Sequence, residues 1–295
     1  MTTNSEYMKK FKPDDPSAVR FFVQHGYVVY EGAHDHDLID RSRDWFFAQY
    51  NTLLGHHKKG EIPFDVNGWA AAIIDKYRLT EMGDRFITSP EVVDIMKQLL
   101  GPDLAIFDQD ALWINVPKDT DPVLLKGTHT DAWTGTSINT IFAKTFFTDV
   151  DQYNGMSVCP GSHLYGLVPV RNRSVDPAAN IKLEEVNLQH MKAGDLLIWH
   201  ALLLHATVGH SDKNIRMSIT SRFTSTETPF SSQERGLGYR TLAIGPMNQI
   251  LRLIGTDQLL PFRTYGGYVG VDRRLQKLYG YSNYKVDVDY AKYLG

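Results

Sequence analysis

The chain has 295 residues, a formal net charge of −3, 42% hydrophobic residues and a 12% aromatic share. That much apolar surface excludes a disordered chain, and the slight acidity leaves no electrostatic footprint for nucleic acid. The single cysteine, Cys159, excludes an internal disulfide and fits a reducing compartment.

The start, MTTNSEYMKKFKPDD, is polar and lacks the apolar stretch of a signal peptide. Asp14 or Asp15 then caps a helix running through AVRFFVQH to Gly26, followed by a short strand, YVVY, at 27–30. The tetrad His34-Asp35-His36-Asp37 has ligand-like spacing but reads as a solvated loop before the next helix. That helix is expected over 36–54, where Leu38, Ile39, Trp45, Phe46, Leu53 and Leu54 recur at helical spacing. His56 and His57 close it as a polar turn. Trp69, Lys76, Tyr77 and Arg78 fall in a region read as loop. Ser89-Pro90 opens a further helix that ends at Gly101, with Val92, Val93, Ile95, Met96, Leu99 and Leu100 as its apolar positions.

From about 104 the chain changes character. LAIFDQDALWINV, SINTIFAKTFFTDV, MSVCP, DLLIWHALLLHATV and IRMSITSRFT are short runs rich in β-branched and aromatic residues, separated by Gly, Pro, Asn and Asp. The most apolar run, LLIWHALLL at 196–204, is too short to span a bilayer. The expectation is a soluble, cytoplasmic protein that meets no membrane and no nucleic acid. No linker divides it, so 1–295 reads as a single domain: 1–103 mainly helical support, 104–225 the β-core, 226–295 a C-terminal wrap. In that wrap NQILRLIG looks helical and 264–284 is rich in Gly and Tyr. The sequence does not disclose the oligomeric state.

The chemistry concentrates in His129-Thr130-Asp131, His205 and Arg216. On a strand, residues i and i+2 share a face, so His129 and Asp131 can hold one metal ion, with His205 as a distant third ligand. Two histidines and a carboxylate on one face of an octahedral metal are the arrangement of non-heme Fe(II) oxygenases. His200 competes with His205 for the third place. A hairpin turning at His210-Ser211 would set His205 opposite Arg216, which favours His205 and brings a guanidinium to the site. Thr207 shares that face, and its hydroxyl suits the same carboxylate as Arg216. Cys159, with no neighbouring base, reads as a buried thiol rather than a nucleophile.

The order HTD, then DVDQYNGMSVCPGSH at 149–163, then AGDLLIWHALLLHATVGHSDKNIRMSITSRF at 193–223 resembles the phytanoyl-CoA dioxygenase family of Fe(II)/2-oxoglutarate oxygenases. The likeness spans about residues 17–225. It implies a mainly β fold, a double-stranded β-helix or cupin-like jelly roll with packed helices. It implies Fe(II) on His129, Asp131 and His205, and 2-oxoglutarate and O2 as cosubstrates. Arg216 would anchor the far carboxylate of 2-oxoglutarate with Thr207, and Lys144 and Asn115 are further cosubstrate contacts. Lys144 stands where an aromatic residue is expected in the phytanoyl-CoA hydroxylase itself, which argues against a fatty acyl-CoA substrate. The implied activity is oxidation of a C–H bond, by hydroxylation, cyclisation or desaturation, with release of succinate and CO2. Asp131 argues against halogenation, because the related halogenases carry a small residue there.

Lys76, Arg78, Lys144 and Arg222 suggest a basic pocket for a small anionic metabolite, with Trp69 and Trp133 as further substrate contacts. The alternative is a non-catalytic metal or small-acid binding protein on the same fold.

Overall fold

The helices of the first hundred residues form where their end signals stand. A computed structural model describes residues 6–106, 111–117, 127–134, 139–150, 155–171, 174–207, 214–227, 230–234, 238–243 and 288–294. Strand β1 (Lys10–Phe11) precedes helix α1 (Ser17–His25), where the Asp15 carboxylate accepts from Ser17 N at 2.9 Å and Ser17 Oγ at 2.6 Å. The helix stops at Gly26, whose φ of 78° lets its N–H donate to Phe22 O at 2.7 Å. Strand β2 (Tyr27–Tyr30) follows. Helix α2 (His36–Lys58) is capped by Asp35, whose side chain accepts from Asp37 N, and it runs a turn beyond the expected 36–54. Helices α3 (Val66–Tyr77) and α4 (Glu81–Ile87) occupy the stretch read as loop from sequence. Helix α5 (Pro90–Leu100) begins after Ser89 with proline in its first turn and ends at Gly101, as its punctuation requires.

The β-core then runs through β3 (Leu104–Ile106), β4 (Ala111–Asn115), β5 (Ile141–Phe146), β6 (Met156–Val158), β7 (Val170–Arg171), β8 (Ser174–Val175), β9 (Val186–Leu188), β10 (Leu196–His200), β11 (His205–Thr207), β12 (Arg216–Ser225), β13 (Phe230–Glu234) and β14 (Gly238–Ala243). The larger sheet has the order β1-β2-β10-β5-β12-β3, with β4 paired to the first half of β12. The smaller sheet is β11-β6-β9. Tyr27, Val29, Phe142, Phe146, Leu197 and Trp199 of the larger sheet pack against Met156, Val158, Val186 and Leu188 of the smaller one. The fold is a jelly roll with packed helices, and its two sheets are not joined into a closed barrel.

The outer face of the larger sheet is equally apolar. Leu112, Ile114, Phe147, Met217 and Ile219 are buried under α2 and α3. Val28, Tyr30, Ile141, Ala143, Ile198 and Phe223 are buried with α1 and α5. Tyr290 belongs to the same helical layer, and its hydroxyl donates to Asp65 Oδ2 at 2.9 Å. The helix expected at NQILRLIG and the Gly-Tyr stretch at 264–284 lie outside the described residues.

One buried acid sets the start of β10. Asp195 is 0% exposed, accepting from Lys10 Nζ at 2.7 Å, Gly32 N at 3.0 Å and Lys192 N at 2.8 Å. The aspartate of the AGDLL block thus joins β1, the turn after β2 and the turn before β10.

The expected hairpin between His205 and Arg216 is not formed. Strand β11 pairs with β6, so His205 lies opposite Val158, while β12 pairs with β4 and β5, so Arg216 lies opposite Asn115. The physical reason is the two-sheet architecture: the strands carrying His205 and Arg216 belong to opposite walls. His34 also departs from the solvated loop expected of it. It is buried, stacks on Phe86 at 4.9 Å between ring centroids, and its Nε2 meets Thr145 Oγ1 at 2.6 Å.

Candidate active site

His129 is joined to the edge of β11 by an isolated antiparallel bridge. His129 N donates to His205 O and His205 N to His129 O, each at 2.9 Å. The two imidazoles are therefore direct cross-strand partners, with ring centroids 4.5 Å apart. Asp131 is not on a strand, as the i, i+2 reading assumed. It opens a 3-10 turn over Asp131–Thr134, and its N–H donates to Ala201 O at 3.0 Å. That turn swings the carboxylate back to the histidines. Asp131 Oδ1 is 3.8 Å from His129 Nε2, and Oδ2 is 3.3 Å from His205 Nε2. All three residues are buried, and one ligand atom from each lies within 4.8 Å of the others.

The backbone fixes the protons. His129 Nδ1 faces Gly127 O at 2.7 Å and His205 Nδ1 faces Leu203 O at 3.0 Å. A carbonyl only accepts, so each Nδ1 carries the hydrogen and each Nε2 presents a lone pair. Two lone pairs and a carboxylate converging in a buried space fit a divalent cation, and the donor set is that of non-heme Fe(II). His200, the competing ligand, takes no part. Its Nδ1 accepts from Leu202 N at 3.1 Å, and burial pulls its pKa down to about 4.

Arg216 lies across the interior on β12, 5% exposed. Its Nε and Nη2 donate to Asn115 Oδ1 at 3.1 and 2.8 Å, and its Nη1 to Gly155 O at 3.4 Å. Gly155 must be glycine there, since a Cβ would stand 1.9 Å from Leu188 O. Among the described residues no carboxylate pairs with Arg216. Burial alone lowers its pKa to about 10, so it stays cationic at neutral pH. A buried guanidinium met, among the described residues, by neutral oxygens suits an incoming anion.

The remaining sequence candidates divide. Thr207 is half-buried, two residues from His205 and opposite Met156, and no hydrogen bond joins it to Arg216. Asn115 faces the interior as the partner of Arg216. Lys144 does too, with Nζ 5.7 Å from the Trp113 ring centroid and 5.9 Å from that of Trp199. Arg222 lies over Phe142, 5.4 Å from its centroid. Trp69, Lys76 and Arg78 stand elsewhere. Trp69 is 0% exposed in α3, packed against Tyr50 and Phe64. Lys76 is on the same helix, and Arg78 pairs with Asp75 at 3.0 Å. These three sit in the helical layer on the outer face of the larger sheet, so the expected four-cation pocket does not assemble. The side chain of Trp133 lies outside the described part.

Sequence reasoning missed Ser218, Thr220, Trp113 and Trp199. Ser218 is 1% exposed, and its Oγ has no hydrogen-bond partner among the described residues. Trp113 Nε1 donates to Thr220 Oγ1 at 3.1 Å, and Trp199 Nε1 to Asp131 Oδ2, also at 3.1 Å. A signal was present: in Arg216–Thr224 every second residue is polar, and that face points inward.

Fold and site together define the class, a non-heme iron oxygenase dependent on 2-oxoglutarate. The family model for phytanoyl-CoA dioxygenase (PhyH) matches residues 22–218, and the chain belongs to that family. Its cofactor and cosubstrates are accordingly iron, 2-oxoglutarate and O2. No curated protein matches by sequence. Solved structures with the same fold include the epimerase SnoN in complex with Fe3+, alpha ketoglutarate and nogalamycin RO. It is 19% identical, at a TM-score of 0.57 over 78% of this chain and 95% of that one. The alpha ketoglutarate dependent carbocyclase SnoK from nogalamycin biosynthesis is 20% identical, at 0.55 over 75% and 89%. The non-heme monooxygenase ThoJ is 17% identical, at 0.56 over 85% and 99%. Among the described residues no helix is long and apolar enough to cross a membrane.

Proposed function

We propose that the chain, acting as one domain over 1–295, oxidises a C–H bond of a small anionic metabolite at the centre formed by His129, Asp131 and His205. The observation that carries this reading is Arg216: a buried cation with no carboxylate beside it among the described residues, in the interior that the three ligands face. Bound Fe(II) with 2-oxoglutarate and O2 supplies the oxidising equivalents, releasing succinate and CO2.

The protein's part is binding, orientation and exclusion of water. The Nδ1 contacts to Gly127 O and Leu203 O hold both imidazoles in the ligating tautomer. Arg216, kept in place by Asn115 and Gly155, takes the distal carboxylate of 2-oxoglutarate. Ser218 Oγ, Thr207 Oγ1 and the amide of Asn115 offer further donors. Lys144 supplies a second interior cation, for the cosubstrate or for the anionic group of the substrate. The chemistry of a C–H abstraction is shared by hydroxylation, cyclisation and epimerisation. SnoK is a carbocyclase and SnoN an epimerase, so the latter two are outcomes open to this site.

Anaerobic titration with Fe(II) and 2-oxoglutarate tests the proposal. A visible charge-transfer band should appear and should require both components. Arg216→Met should weaken 2-oxoglutarate binding by more than about 100-fold, in line with loss of a charged hydrogen-bonded partner, and leave Fe(II) binding unchanged. No band with the native protein, or an unaltered cosubstrate affinity in the variant, refutes the assignment.

A further inference from the structure

We infer that Asn115 sets the charge of the anion site. Its neutral amide holds Arg216 in place without cancelling the cation, and an aspartate at the same position would close the site to anions. The inference rests on reading Arg216 as the anchor for the distal carboxylate of 2-oxoglutarate.

The position is one that an acid would suit. Asn115 on β4 is the register partner of Arg216 on β12, and the two are 6% and 5% exposed. Opposite charges are favourable in such cross-strand pairs. The neighbouring Ile114 is buried in the helical layer on the other face, which fixes β4 from behind. The inner faces of β4, β5 and β12 carry Lys144, Arg216 and Arg222 and, among the described residues, no carboxylate. A neutral residue thus stands where the strand pairing would best support a counter-ion.

The contacts show what the amide does. A guanidinium only donates, so the amide oxygen faces it. Nε and Nη2 both donate to Asn115 Oδ1, at 3.1 and 2.8 Å, and Nη1 donates to Gly155 O at 3.4 Å. These bonds take three of the five N–H groups of a guanidinium. One remains on each Nη, the pair that a carboxylate meets side by side. The amide Nδ2 is turned from the guanidinium and, among the described residues, donates to nothing. Asn115→Asp would keep the size and the acceptor. It would replace that NH2 with a second negative oxygen and make Arg216 half of a buried ion pair. An incoming anion would then meet no net positive charge and an added repulsion.

Two cosubstrates provide the test: 2-oxoglutarate, and 2-oxopentanoate, which has a methyl group in place of the distal carboxylate. Dissociation constants are read anaerobically from the charge-transfer band with Fe(II). Asn115→Asp should weaken 2-oxoglutarate by about 100-fold or more and leave 2-oxopentanoate within about twofold. Asn115→Ala removes the acceptor but keeps the site cationic, so it should cost 2-oxoglutarate only about tenfold. The order native, Ala, Asp is the signature, because a residue that merely tethers Arg216 would be replaced better by aspartate than by alanine. If Asn115→Asp does not fold, Asn115→Ala decides: its loss should be confined to 2-oxoglutarate. Native 2-oxoglutarate affinity in Asn115→Asp, tighter binding by Asp than by Ala, or an equal loss for both cosubstrates overturns the inference. Unaltered 2-oxoglutarate affinity in Arg216→Met instead overturns the reading of the anchor itself.

Discussion

The inner face of the larger sheet has two halves with opposite composition. On β2 and β10 it is Tyr27, Val29, Leu197 and Trp199, sealed against the valines and leucines of the smaller sheet. On β12 and β4 it is Arg216, Ser218, Thr220, Arg222, Trp113 and Asn115. Both halves have the same pleat and both are covered outside by helices, α1 and α5 over the first and α2 and α3 over the second, so secondary structure does not explain the difference. The apolar half supplies stability through area removed from water, about 1.5–3 kcal/mol for each large side chain. The polar half gives up that gain and carries desolvation costs for the cations and hydroxyls it turns inward. Strand β5 is the seam, since Phe142 and Phe146 belong to the first half and Lys144 to the second.

Substitutions should separate the two. Arg216→Met, beyond its loss of cosubstrate binding, should leave the melting temperature of the ligand-free protein unchanged or raise it, because a buried charge gives way to an apolar side chain. A clear destabilisation would mean that the guanidinium is structural. Leu197→Ala should do the reverse. Chemical denaturation should register a loss of about 2–5 kcal/mol, with 2-oxoglutarate affinity unchanged while the protein remains folded.

The outer cover responds to acid. Burial pulls the His34 pKa from 6.5 down to about 4, so between those values the unfolded chain binds the proton and the folded one does not. Its contribution is intact above pH 6.5 and is lost as pH falls toward 4, on the order of 2–3 kcal/mol over that window. Thermal melts across pH 4–7 should steepen accordingly, and His34→Gln should flatten them; an unchanged slope assigns the acid sensitivity elsewhere. The smallest effect is Ser218→Ala, which removes a hydroxyl with no partner among the described residues. Equilibrium unfolding should move by no more than about 0.5 kcal/mol while the KM for 2-oxoglutarate rises several-fold. An unaltered KM would exclude Ser218 from the cosubstrate site.

Much of this was legible in the residues. Gly26, Ser89-Pro90 and Gly101 mark helix ends because cap geometry is local. The jelly roll and the HTD, His205 and Arg216 constellation came from motif order. The wrong steps were of two kinds, which strands pair and where a helix was read as loop. The His205–Arg216 hairpin was inferred from local register, yet the two strands belong to opposite sheets, and His205 pairs with His129 instead. Trp69, Lys76 and Arg78 were placed at the site because an amphipathic helix of modest periodicity, Val66–Tyr77, passed for loop. The inward polarity of β12 was visible in its period-two pattern. It went unused because a strand alternating polar and apolar residues is ordinarily read with its polar side in water.

Asp195 gives the N-terminal segment a reach its sequence does not suggest. Its carboxylate grips Lys10 at the entrance of β10, four residues before the indole that touches Asp131. Loss of Lys10 would remove this cation from the buried acid, which would still accept from the Gly32 and Lys192 amides, so the first two strands would lose their ionic tie to the turn before β10.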